Sequence, residues 1–353
     1  MRFLHTSDWH IGLKAAQAGP AAPRLRAERL EAGRRIAAIA RDAQVSFVLL
    51  AGDLFDSSAP APTEIRETAA LLSSFTIPVY VIPGNHDPHV VGGPWTHAAW
   101  RDAPNVHLLL KPEPVPLDGG VLYPCPLLSR WQGSHPLAWI PARQRQDGIR
   151  IGLAHGGLAG FGGPVPDEAA HDLGLDYLAL GDWHSAGETP PGCRQAYSGT
   201  PETDAFGQRD SGSVLVIDIA APGATPAITR HRSGRLEWRK QSVNLEREGD
   251  AAGLRSALDA AADPAVLLDL EVAGALYSGD ERELEAIEAL LRDRFFHGRL
   301  TRGRLWPAGA EAAMPPGLLT LAEARLREQA EAGDAIAAQA LLELRRFALE
   351  AGL

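Results

Sequence analysis

Cysteine is nearly absent from this 353-residue chain: there are two, Cys125 and Cys193, far apart and in no metal-type spacing. That count excludes a disulfide framework and a zinc finger, and each cysteine reads as a small apolar residue. Long apolar runs are missing too. No stretch approaches the ~18 uninterrupted apolar residues of a membrane span, and the opening residues lack the apolar segment of a secretory signal. A cytoplasmic protein with no membrane partner is expected. Basic charge is also short, with 34 Lys plus Arg against 44 Asp plus Glu and a formal net charge of -10. Bulk charge therefore cannot hold a nucleic acid, and any such polyanion must be gripped locally. Acids that ligate divalent cations would belong to a site's charge rather than the surface's, which would neutralise part of the excess.

What is present is enough length for one large domain with one or two smaller ones, and an ordinary hydrophobic content of 45%. Apolar runs at 2–7, 46–51 and 77–82 end in polar, Gly-containing segments and are separated by helical-period stretches near 24–42 and 63–75, a β-α-β-α-β alternation. Runs at 149–154 and 177–180 repeat the pattern, which is how a layered α/β sheet presents functional groups from the loops after its strands. Segments 196–198, 213–219 and 236–243 read as antiparallel strands closing a second sheet. A charged stretch at 244–250 is the preferred boundary. Beyond it, helix 253–262, strand 265–273, helix 280–296 and strand 299–306 make a small α/β unit, and a Pro-Pro-Gly break precedes helices at 320–331 and 335–350. The expected domains are 1–245, 246–310 and 311–353.

Five short motifs follow predicted strands: Asp8-Trp9-His10, Gly52-Asp53-Leu54-Phe55-Asp56, Gly84-Asn85-His86-Asp87, His155-Gly156 and Gly181-Asp182-Trp183-His184. Each alone is weak, because a Gly-Asp pair or an Asp-x-His more often caps a turn than binds metal. Together they supply carboxylate, amide and imidazole ligands without thiolate, a set that suits manganese, iron or zinc. Two divalent cations ~3.5 to 4 Å apart need a bridging carboxylate, and such a pair supplies an activated water and offsets charge developing on a phosphoryl group. Asp53 is the candidate bridge, since a strand running straight into Gly52-Asp53 fixes the side chain. His86 is placed to give a proton to the departing alkoxide, with Asp87 or Asp56 orienting its imidazole.

These residues resemble the calcineurin-like metallophosphoesterase superfamily. The stretch Phe3-Leu4-His5-Thr6-Ser7-Asp8-Trp9-His10-Ile11-Gly12, with Gly52 to Asp56, is similar to its DNA-repair exonuclease branch, typified by SbcD-type nuclease subunits. The resemblance covers about residues 1–245 and implies a two-sheet α/β sandwich flanked by helices, with a small α/β cap and a C-terminal helical segment. It implies one metal on Asp8, His10, Asp53 and His184, a second on Asp53, Asn85, His155 and residue 182, and His86 as proton donor. The branch pattern has histidine where this chain has Asp182. A carboxylate there hardens the second site and favours Mn2+ or Mg2+ over Fe2+ or Zn2+, unless Asp182 instead orients His184. The implied function is a manganese-dependent DNA exonuclease of DNA repair working with an SbcC-like coiled-coil ATPase; a homodimer is left open.

Trp9 and Trp183 read as packing residues, with stacking on a nucleobase as the alternative. His5 reads as an interior histidine. Arg24, Arg26, Arg29, Arg34 and Arg35 read as a solvated helix face, with phosphate tracking as the alternative. Ala337, Leu341, Leu344 and Ala348, with Phe347 beside them, form a stripe that packs on its neighbour or docks a partner. Two further functions compete with a nuclease. A phosphodiesterase or phosphatase of a small nucleotide suits the acidic charge, and a binding subunit without turnover would not need His86.

Overall fold

The computed structural model describes residues 1–129, 137–157, 165–166, 168–188, 194–308, 317–332 and 334–350, so Cys193 and residues 314–316 lie outside the described residues. In chain order the elements are β1 (Arg2–Thr6), α1 (Ala22–Asp42), β2 (Val48–Ala51), α2 (Pro62–Ser73), β3 (Val79–Ile82), β4 (Val106–Leu108), β5 (Val115–Leu117) and β6 (Gly120–Cys125). They continue as β7 (Ile149–His155), α3 (Ala169–Asp172), β8 (Tyr177–Gly181), β9 (Gly187–Glu188), β10 (Gln195–Tyr197), β11 (Ser213–Asp218) and β12 (Ala227–Arg232). The remainder are β13 (Glu237–Leu245), α4 (Asp250–Ala260), β14 (Val266–Leu276), α5 (Asp280–Arg294), β15 (His297–Pro307), α6 (Leu318–Glu331) and α7 (Ala335–Glu350).

Two six-stranded sheets, ordered β12-β11-β1-β2-β3-β4 and β5-β6-β7-β8-β10-β9, carry the site. The run β1-β2-β3-β4 is parallel, as is β6-β7-β8-β10, and antiparallel strands close the edges. Side chains alternate between faces with the period of two that a strand imposes. Phe3, Leu49, Ala51, Ile82, Leu215 and Ile217 of the first sheet meet Leu122, Ile151, Leu153, Tyr177 and Ala179 of the second in one buried cluster. Their chain neighbours Leu4, Val48, Leu50, Val79, Val81 and Val216 face the other way, onto Ile36, Ala40, Ile65 and Leu72 of α1 and α2. Beyond the second sheet, Tyr123, Ala154, Leu178 and Leu180 pack on Leu137, Ile140, Ala169 and Ala170. The two sheets and their helices thus form a mixed α/β sandwich, as the resemblance implied.

Local sequence explains the helices that separate the parallel strands. Pro62 opens α2, where its missing N–H costs nothing, and Glu64 reaches back to accept the Ala61 N–H at 2.8 Å. The three strands expected to close a second sheet are corrected. β11 joins the first sheet, antiparallel to β1; β10 lies in the second sheet but runs parallel to β8; and β13 belongs to a three-stranded sheet with β14 and β15. Buried Val214, Val216 and Ile217 satisfy either arrangement as a pattern, so alternation alone could not choose the partner.

The chain divides into two compact units, one of Met1–Lys240, Ala262–Asp269 and Leu291–Arg299, the other of Gln241–Ala261, Leu270–Leu290 and Leu300–Leu353. In the first, Leu25 packs with Leu236, Leu267 and Phe296, and the Arg24 guanidinium sits 4.4 Å over the Phe296 ring. In the second, α6 packs on α7. Ala337 and Ala348 are buried, Leu341 and Leu344 half-buried, and Phe347 exposed. Among the described residues no helix is long and apolar enough to cross a membrane.

Candidate metal centre

The C-terminal ends of β1, β2, β3, β7 and β8 all open toward one place, because the two parallel runs deliver their following loops to the same edge. The loops after β1 and β2 then continue to pair: Asp8 N–H donates to Gly52 O at 3.1 Å, His10 N–H to Asp53 O at 3.0 Å and Ile11 N–H to Leu54 O at 2.9 Å. Asp8, His10 and Asp53 hold left-handed backbone (φ 54°, 45° and 51°), and Asp182 has φ 103°. Non-glycine residues avoid these conformations at a cost of about 1–3 kcal/mol each, so the paired loops hold the side chains against a local preference. Gly52, at φ 85°, has no freedom to be anything else: a Cβ there would lie 2.3 Å from His155 Nδ1.

Three groups of side chains converge within ligand distance: Asp8, His10 and His184; Asp8, Asp53 and His155; and His10, Asp53 and His86. Asp53 and Asp8 are shared between groups, and Asp53 is buried between the imidazoles: its Oδ2 lies 3.3 Å from His155 Nε2 and 3.8 Å from His10 Nε2. Asn85 Oδ1 is 2.8 Å from His155 Nε2, and Asp182 Oδ1 is 3.8 Å from the same nitrogen. The Asp182 N–H points at the Asp8 carboxylate, 3.2 Å from each oxygen. The sequence-predicted ligands Asp8, His10, Asp53, Asn85, His155, Asp182 and His184 are therefore brought together at one place.

The chemistry of this set fits divalent cations. His155 Nδ1 donates to Ala51 O at 2.7 Å, which leaves the Nε2 lone pair facing Asp53 Oδ2 and Asn85 Oδ1. His10 and His184 bring their Nε2 atoms to 3.1 Å from one another, with His184 Nδ1 3.3 Å from Asp204 Oδ1 and 3.1 Å from Gln208 Nε2. Acceptors converging on acceptors require positive charge between them, from a proton or a metal. The protein groups alone express the same demand. Burial would lower both histidines, but Asp53 lifts His155 well above the ordinary imidazole range and Asp204 lifts His184 to about 9. Burial would likewise raise Asp53, yet His155, His10 and His86 together hold it below the usual carboxylate range.

His86 stands at the open side of the cluster, about a third exposed. Its backbone N–H donates to Asp53 Oδ1 at 2.8 Å and its Nδ1 to the Asp56 carbonyl at 3.0 Å, which turns Nε2 away from that anchor. Asp56 thus orients the imidazole by its main chain, its carboxylate lying 3.7 Å away. Asp87 is a correction. Its carboxylate accepts the Phe55 N–H at 2.9 Å and the Gly84 N–H at 2.7 Å, so it ties two loops together instead of touching His86. Burial and the Asp53 charge lift it to about 8, against those two N–H bonds.

Several residues at the site carry no motif. Asp204 orients His184 and is held below the carboxylate range, burial being outweighed by His184 and Arg29. Arg29 is buried and donates to the carbonyls of Trp9 at 2.7 Å, Asp8 at 3.1 Å and Glu202 at 3.0 Å. Ser7 Oγ bonds the Asp8 carboxylate and lies 2.7 Å from Ser198 Oγ. A signal existed for Asp204. Placing β10 parallel to β8 would have directed attention to the loop that follows it, as with the other parallel strands.

The arginines on α1 do not act as one group: Arg24 and Arg34 are exposed, as a solvated face expects, whereas Arg29 is buried. Arg29 braces the site from inside, Arg35 pairs with Glu28 and Glu202, Arg34 pairs with Glu31, and Arg24 covers Phe296. Trp9 is core, donating to Thr6 Oγ1 at 2.9 Å, whereas Trp183 is exposed beside His184.

A sandwich whose parallel strand ends gather carboxylate, amide and imidazole around two shared aspartates defines a metal-dependent phosphoesterase fold, one that uses divalent ions. The calcineurin-like phosphoesterase family matches residues 1–186, just over half of the chain, and the chain belongs to that family. It is similar to SbcD, the D component of the SbcCD nuclease of Bacillus subtilis (strain 168), 26% identical over 345 residues and 82% of each chain. It is also similar to a metallophosphoesterase, YhaO, of the same strain, 30% identical over 208 residues. That alignment takes in 52% of this chain and 48% of YhaO, so the chain spans about half the length of that relative. The DNA double-strand break repair protein Mre11 of Thermoplasma acidophilum is 27% identical over 268 residues, 68% of each chain.

Proposed function

We propose that this chain is a two-metal phosphodiesterase acting on DNA, an exonuclease of DNA repair that works with an SbcC-like coiled-coil ATPase in the cytoplasm. The observation that carries the catalytic part is the convergence of carboxylate, amide and imidazole atoms of Asp8, His10, Asp53, Asn85, His155, Asp182 and His184 on one place. His10 and His184 with Asp8 would hold one cation; His155, Asn85 and Asp182 would hold the other; and Asp53 would bridge. Manganese suits this oxygen-rich set best. When bound, such a pair supplies an activated water and neutralises charge on the phosphoryl oxygens. The chain's own contribution is orientation and proton traffic. The Ala51 carbonyl fixes the His155 tautomer, Asp204 and Gln208 hold the His184 ring at Nδ1, and His86 holds a proton at Nε2 for the leaving alkoxide while the Asp56 carbonyl keeps Nδ1 occupied.

Similarity to a nuclease component along most of both chains supports DNA as substrate and an ATPase as partner. In this reading residues 1–245 are the nuclease domain, 246–310 a cap and 311–353 a C-terminal helical segment. A second reading, hydrolysis of a small nucleotide, is favoured by the net charge of -10. Incubating linear duplex and single-stranded DNA with the manganese-loaded chain, beside His86→Ala and bis-p-nitrophenyl phosphate, separates the two. The nuclease reading expects DNA loss that needs manganese and falls at least about 100-fold in His86→Ala. Intact DNA beside rapid hydrolysis of the small diester would transfer the assignment to the second reading.

A further inference from the structure

A cavity of about 620 Å³ opens beside the metal centre, and His184 belongs to both. Its walls are unlike the rest of the site. Trp183, 45% exposed, presents its indole to the cavity, backed by Tyr197 with ring centroids 5.8 Å apart. Phe206 lines it too, held edge-on by Trp238 at 4.7 Å. At its rim stands Arg209, exposed and with no hydrogen bond or ion pair among the described residues, in a chain whose other arginines near the site are engaged. The neighbouring acid Asp210 is already committed to Arg230 at 2.9 Å.

An indole kept in water costs hydrophobic free energy that burial would recover, and Trp9, equally placed between two ligands, is buried. A flat aromatic face, two further rings, a cation at the rim and a direct border with a phosphate-handling cluster match the parts of a single nucleotide. We propose that this cavity is a nucleobase subsite. One unpaired base, attached to the phosphate at the metal centre, stacks on Trp183 between Tyr197 and Phe206, and Arg209 meets the phosphate next along the strand. The inference rests on the phosphodiesterase reading and narrows it to substrates that present an unpaired terminal base. The size agrees, since pockets of roughly 300–1,000 Å³ take ligands of nucleotide scale. Arg209 adds the local positive charge that an acidic chain needs to grip a polyanion.

The test compares two diesters that share a leaving group, thymidine 5′-(p-nitrophenyl phosphate) and bis-p-nitrophenyl phosphate, on the manganese-loaded chain. Stacking worth ~1–3 kcal/mol predicts that Trp183→Ala lowers the ratio of their kcat/KM values by about 5- to 150-fold, chiefly through KM of the nucleoside ester, and that Trp183→Phe restores most of it. A ratio left unchanged in Trp183→Ala overturns the subsite while leaving the phosphodiesterase reading intact. Binding is read separately, by quenching of tryptophan emission with thymidine 5′-monophosphate. The component lost in Trp183→Phe is expected to saturate in the wild-type chain. Saturation without hydrolysis of either diester would keep the subsite and refute the phosphodiesterase reading; absence of that component would refute the subsite.

Discussion

Asp182 is the residue at which this chain departs from the histidine implied by its resemblance, and its surroundings say what the change does. Its N–H is spent on the Asp8 carboxylate and its Oδ1 approaches the His155 nitrogen that also faces Asn85. A carboxylate at that point adds negative charge to a half of the site that would otherwise be an amide, an imidazole and the bridging acid. Asp182→Ala is expected to bind one of two manganese ions at least about tenfold more weakly while circular dichroism stays that of the wild type, with metal per chain read by plasma mass spectrometry. Two ions at wild-type affinity would remove Asp182 from the ligand set. Asp87 shows the opposite lesson. It neighbours His86 in sequence, but adjacency does not give a carboxylate the direction to reach the imidazole, and two loop N–H groups claim it first.

At the scale of elements, the motif-bearing loops were legible because each follows a parallel strand whose apolar run is unambiguous. The elements after residue 250, β14 and α5 among them, were readable from their apolar periods. What was not legible was strand partnership: β10 and β11 alternate well, but nothing in a three- or six-residue run says which neighbour it pairs with or in which direction. Of the strands not foreseen, β4 and β5 are three residues each and only half-buried at best, β9 is two residues and β12 is largely exposed, so their apolar signal is weak, whereas β6 is well buried at Leu122, Tyr123 and Cys125 but carries Pro124 in its run. β1 carries a testable cost of its own. His5 is buried between the sheets, 2.9 Å from the Tyr177 hydroxyl, and burial pushes its imidazole down to about 3. Its folded value lies below its unfolded one of about 6.5. The unfolded chain therefore takes up a proton that the folded chain refuses, and stability is lost as pH falls from about 6.5 toward 3, by up to about 1.4 kcal/mol per pH unit. Urea denaturation between pH 7 and 4 should show a slope about one proton shallower in His5→Gln than in the wild type; parallel slopes would mean that His5 does not carry it.

For the whole molecule, the charge balance and the arginine-rich helix looked like alternatives, a chain too acidic for DNA or a helix that tracks it. The fold dissolves the choice. Two of those five arginines are spent inside, Arg29 on the carbonyls of a motif loop and Arg35 on Glu28 and Glu202, so under the proposed function the charge that meets a polyanion comes chiefly from the metal centre and from isolated cations such as Arg209. Positive charge at the proposed centre could not be established from sequence, because the candidate ligands are spread over residues 8 to 184 and only the fold brings them together. The most direct measurement is anomalous diffraction at the manganese edge from crystals of the chain grown with manganese. Two peaks ~3.5 to 4 Å apart are expected, one against His10 and His184, the other against His155 and Asn85, with Asp53 touching both. A single peak, or two peaks that do not share Asp53, would contradict this.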